Sequence, residues 1–132
     1  MTPTTQSIRA LRAFAARFED CNLVEGKSSI DLVLRKGALT ISVMVPIEVY
    51  EWYVDVKETS TALQSHDWYD YAGYESNRGE DLDRAMAQDL TQFLENILVR
   101  PLRMRESGNE AHAALDWWVQ DSWRQCVPAT GE

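Results

Sequence analysis

The chain has 132 residues, 45% of them apolar and 26% charged, with a formal net charge of −8 at pH 7. That length and composition fit one folded domain spanning residues 1–132 with a core of its own, and exclude a disordered chain. The sign of the charge argues against a direct nucleic-acid role, which needs Lys and Arg to neutralise phosphates, and no apolar run has the length of a membrane span.

From Thr5 to about Asp20, apolar residues recur at Ile8, Leu11, Phe14, Ala15 and Phe18, which is helical spacing, while Arg9, Arg12 and Arg17 are left for solvent. Thr4 or Thr5 supplies a hydroxyl to cap the helix. The same stretch lacks the continuous apolar segment of a secretory signal. Its Ala and Arg content has some likeness to an organelle transit peptide, but the apolar spacing reads as a core-facing helix, and a cytoplasmic protein is expected. Cys21 and Cys126 fit no metal or redox spacing, so they are expected as free, buried thiols.

Ile30, Leu32 and Leu34 alternate, as do Leu39, Ile41, Val43 and Val45 beyond Lys36-Gly37, and this predicts a hairpin. Pro46 closes the second strand or marks its edge. A third run places Tyr50, Trp52, Val54 and Val56 on one face and Val49, Glu51, Tyr53, Asp55 and Lys57 on the other. A Thr- and Ser-containing loop over Glu58–Ser65 leads to a fourth strand around Asp67–Ala72. Together these predict a four-stranded antiparallel meander with one face on the core.

The segment from Glu80 to Val99 is the clearest helix, with an apolar stripe of Leu82, Met86, Leu90, Phe93, Leu94 and Ile97. Glu80, Asp81 and Asp83 lie in its first turn, where negative charge suits the helix dipole, and Pro101 stops it. After a short basic segment, Glu110 to about Cys126 reads either as a last helix or, through Leu115, Trp117 and Val119, as a strand. Trp117 and Trp118 are adjacent and cannot both point the same way. The fold class is therefore α+β: an N-terminal helix, a four-stranded antiparallel meander, one long helix packed on the sheet and a C-terminal helix or strand.

The excess charge has a place in this order. Between Glu48 and Leu90 stand eleven acids and three bases, which accounts for the whole −8, and the remainder of the chain is balanced. Phosphate-cradling glycine loops, a nucleophile elbow and Cys/His zinc spacing are all lacking from the sequence. Glu51 and Asp55 on one strand lie about 13 Å apart, too far to act as acid and base on one glycosidic bond, although Asp67 or Asp70 across a strand would come closer to either. His66 with Asp67 and Asp70, or Asp81 with Asp83, form weak metal patterns, and neither a metal nor a cofactor is expected.

The aromatic and acidic residues of the third and fourth strands point instead to protein binding. Tyr and Trp give large contact area at low entropy cost. Glu51, Tyr53 and Asp55 on the third strand are the first candidates. Asp67, Trp68, Asp70 and Tyr71 follow on the fourth, with Tyr74 and Glu75 just beyond it. The expected function is a small acidic module, most readily an immunity-type inhibitor that covers the active surface of a basic toxin or effector such as a nuclease, in a bacterial setting. Negative potential would speed encounter with such a partner and select it. A secretion chaperone or adaptor acting as a dimer is one alternative, and a carboxylate- or metal-dependent hydrolase another. The chain itself is expected as a monomer or homodimer.

Overall fold

Side-chain alternation decides most of the architecture. In a computed structural model, which describes residues 4–71, 79–106 and 113–127, five strands form one antiparallel sheet in sequence order. They are β1 (Cys21–Glu25), β2 (Ser29–Lys36), β3 (Leu39–Pro46), β4 (Glu51–Glu58) and β5 (Gln64–Asp70). Because successive side chains point to opposite faces, the apolar sets fall on one side. Ile30, Leu32, Leu34, Ile41, Val43, Val45, Trp52, Val54 and Val56 are all buried there.

Two helices cover that side. The first, α1 (Thr5–Arg17), buries Ile8, Leu11 and Phe14, and ends at Phe18, whose backbone is already extended. The second, α2 (Gly79–Val99), contributes Leu82, Met86, Leu90, Phe93, Leu94 and Ile97 to the same cluster. Beyond it lies a second antiparallel sheet of β6 (Leu102–Glu106), β7 (Ala113–Val119) and β8 (Ser122–Val127), in that order. Leu115 and Val127 join its inner side to the same buried cluster, and β5 packs against β7 and β8.

The molecule is thus α+β, and it differs from the expectation in several details. The meander has five strands rather than four. β1 is a short edge strand with three of its five residues exposed, so it carries little apolar alternation, and Gly26 closes its turn onto β2 with a hydrogen bond to Ser29 O at 2.9 Å. The last strand of the meander begins at Gln64, not Asp67, because the turn from β4 is tight and places Lys57 opposite Gln64. In the described part of the last segment, residues 113–127, the strand alternative holds and not the helix: β7 and β8 form a hairpin. Its two loop residues, Gln120 and Asp121, have φ of 46° and 68°, the conformation of a primed turn, here made without the glycine that usually announces one. The basic segment before it is also a strand, β6.

The helix caps differ as well. Thr4 does not cap α1; its hydroxyl donates to Ile47 O at 2.8 Å. The first-turn amides of Gln6 and Ser7 donate instead to the carboxylate of Asp83 on α2, at 2.7 and 3.0 Å, and the Ser7 hydroxyl adds a bond of 2.8 Å. Asp83 is therefore a buried cap for the neighbouring helix, where the sequence placed it in its own helix's dipole field or in a metal pair with Asp81. At the other end of α2, the Lys36 ammonium donates to Ile97 O and Leu98 O at 2.8 and 3.1 Å and to Arg100 O at 2.5 Å. It satisfies carbonyls that a helix end leaves open.

Candidate protein-docking face

The side of the five-stranded sheet opposite the helices carries no covering element among the described residues. Strand register lays a continuous row across it: Val24, Asp31, Met44, Tyr53 and Trp68 are paired in turn from β1 to β5. The ends of the row are open, with Val24 54% and Trp68 53% exposed. One neighbouring row runs through Asn22, Val33, Ser42, Asp55 and His66. Glu51 and Asp70 face each other at one end of the β4–β5 pair, while Lys57 and Gln64 do so at the other.

Within this face the aromatic residues are held, not loose. The Tyr53 and Trp68 rings stack with centroids 6.4 Å apart and planes 17° apart. Both are tied to Glu51: the Tyr53 hydroxyl donates to its carboxylate at 2.7 Å, and the Trp68 indole N–H donates to the same oxygen. The bond to Glu51 and partial desolvation push the Tyr53 hydroxyl's pKa up, so the phenol stays a neutral donor. Gln64 Nε2 donates to Asp55 at 2.8 Å. Beside the two rings, Ser42, Met44 and His66 border a shallow depression of about 370 Å³.

Five of the expected binding residues thus share the open face: Glu51, Tyr53, Asp55, Trp68 and Asp70. Asp67 does not, because its register partner is Val54 and its side chain falls on the helix-covered side. Tyr71 is 5% exposed; its hydroxyl accepts the Trp52 indole N–H at 3.1 Å and donates to Asp89 at 2.5 Å, so it belongs to the interior. Tyr74 and Glu75 lie outside the described residues. The structure also divides the acidic segment that is continuous in sequence. Asp83 is buried as a cap, Asp81 and Asp89 lie on α2, and Asp67 points away. The open face retains Glu51, Asp55 and Asp70 and gains Asp31 from β2, with Arg35 and Lys57 toward its far end.

Val24, Asp31 and Met44 were missed as face residues. Their one signal was position: Asp31 and Met44 sit out of phase with the buried residues of their strands, Val24 with the half-buried Cys21 and Leu23 of its own, and only register places them beside Tyr53. Among the described residues, no three His, Cys, Asp or Glu side chains gather as a metal site would require.

The second sheet carries a different outward surface. Asp116 is buried between two guanidinium groups, with Arg103 Nε and Arg105 Nε each donating to its Oδ2 at 3.0 Å. Burial pushes the Asp116 carboxyl up, but the two arginines outweigh it and hold the group below the ordinary carboxylate range. Arg103 also lies over the Trp123 ring at 4.5 Å, and Trp123 meets Trp118 edge-on. The adjacent tryptophans diverge, since Trp117 turns inward against Phe93 while Trp118 faces out.

Comparison with protein-family models, with curated proteins and with solved structures found no match for this chain.

Proposed function

We propose that this chain is a small protein-binding module that receives a basic protein surface on the open face of its five-stranded sheet. An immunity-type inhibitor covering a toxin or effector is the specific form of that reading. The observation that supports it is the uncovered row from Val24 to Trp68, whose rings are fixed by Glu51 and flanked by Asp31, Asp55 and Asp70. Fixed aromatic rings lose little entropy when covered, and carboxylates at the rim steer a positive partner and set its orientation.

The test uses the product of the gene adjacent to this one as the candidate partner. Hydrogen exchange of the complex should show protection at β4 and β5, and binding should weaken with salt. The double variant Glu51→Lys/Asp70→Lys should slow association by about tenfold or more at low ionic strength, since close charges govern encounter rates. The control Glu19→Lys/Glu95→Lys makes the same charge change at exposed positions off the face. Equal slowing in both variants, or protection confined to the helices, would sink this reading.

A further inference from the structure

On the helix-covered side of the molecule, where α2 meets both sheets, five aromatic side chains, Trp52, Tyr69, Tyr71, Phe93 and Trp117, line one pocket of about 360 Å³. Trp52 and Tyr69 stack at 4.2 Å with planes 20° apart, Phe93 lies 5.4 Å from Trp52, and Trp117 lies 6.1 Å from Phe93. The volume is at the lower end of what holds a small ligand, roughly 300 Å³ and upward.

The rim carries Asp89, and the carboxylate is positioned. Its Oδ2 accepts the Tyr71 hydroxyl at 2.5 Å, and that hydroxyl is itself fixed by the Trp52 indole N–H at 3.1 Å. No Lys or Arg lines the pocket among the described residues. The Cys126 thiol, which also borders it, is kept neutral by burial, and so is the Tyr69 phenol. Asp89 is therefore the one formal charge of the lining among the described residues.

We propose that this pocket binds an alkylammonium group, carried either by a small organic cation or by the end of a protein's lysine side chain. Aromatic faces present negative quadrupole to a cation, and a carboxylate beside them adds direct attraction. Ring faces alone would accept any flat neutral ligand. A carboxylate in a lining with no described Lys or Arg selects positive charge and rejects anions. The site lies on the side of the first sheet opposite the docking face, so it stands or falls independently of that reading.

The experiment is a titration of the intact protein, followed by the NMR signals of the Trp52 and Trp117 indole N–H groups. Choline is compared with 3,3-dimethyl-1-butanol, the same shape without charge. Choline should bind about tenfold more tightly than the neutral isostere, in line with cation–π plus carboxylate recognition, and the substitution Asp89→Asn should bring the two within about threefold of each other. Lysine and trimethyllysine peptides distinguish the source: tighter binding of a peptide assigns the site to a protein side chain, tighter binding of choline to a small molecule, and either supports the site. Equal binding of choline and its isostere to the parent protein, or no movement of either indole signal, overturns the proposal, and that comparison does not depend on the variant folding.

Discussion

The carboxylate of Asp83, itself 3% exposed, receives two backbone amides and a hydroxyl from α1. Removing it takes the shared acceptor away from two backbone amides and a hydroxyl, and an unmet buried donor costs more than a lost bond. Asp83→Ala is expected to lower stability by about 1–3 kcal/mol, read from the urea midpoint, with Asp83→Asn losing less because one acceptor oxygen remains. An unchanged midpoint for the alanine variant would show that α1 is not held this way. Cys126 makes a second residue-scale case. Burial raises its thiol from the ordinary 9.0 to about 12, which lowers the thiolate fraction near neutral pH by about a thousandfold. Alkylation by iodoacetamide at pH 8 should therefore be very slow in the folded protein and should recover ordinary rates in urea. Rapid capture without denaturant would contradict that burial.

Elements hold one another through charges placed at their ends and between their strands. Lys36 leaves β2 to close the C-terminus of α2, just as Asp83 leaves α2 to close the N-terminus of α1. The second sheet depends on Asp116, which bonds both Arg103 and Arg105 of β6 from the middle of β7. A carboxyl whose pKa is lower folded than unfolded adds stability above its unfolded pKa, and loses that contribution as pH falls through the folded value. Asp116→Asn should thus cost about 1–2 kcal/mol at pH 7, and the difference from the parent should shrink as pH falls below the ordinary carboxylate range of about 4. A difference that is the same at pH 7 and pH 3 would show that the ion pairs are not its cause.

At the scale of the whole molecule, one buried cluster includes side chains from both helices and both sheets. The second sheet has too few strands to bury a face by itself, and Leu115 and Val127 complete the core that α2 shares with the meander. Unfolding in urea should then be a single transition, with fluorescence of the five tryptophans, which sample both sheets, coinciding with loss of far-ultraviolet ellipticity. Two separated transitions would mean that the second sheet is a unit of its own. The helices and second sheet crowd onto one side of the meander, and among the described residues nothing covers the other side.

The amino-acid sequence by itself determined the element types wherever apolar periodicity is strong and unbroken. The alternation of Ile30 to Val45, the run from Trp52 to Val56 and the stripe from Leu82 to Ile97 each bury the residues they nominate, because period 2 and period 3.6 admit one amphipathic solution each. Sequence also paired Glu51, Tyr53 and Asp55 on one strand face, and Trp68 with Asp70 on another. Register decided the rest. It placed Asp67 behind the sheet, drew Tyr71 inward to Asp89, and set Val24, Asp31 and Met44 in line with Tyr53 and Trp68. Weak edge strands such as β1, and a hairpin turned at Gln120-Asp121 without glycine, leave too little local signal to be read. Clustering of charge along the chain translated only in part into clustering in space among the described residues, because a strand or helix sends neighbouring side chains in different directions and only packing fixes which of them meet.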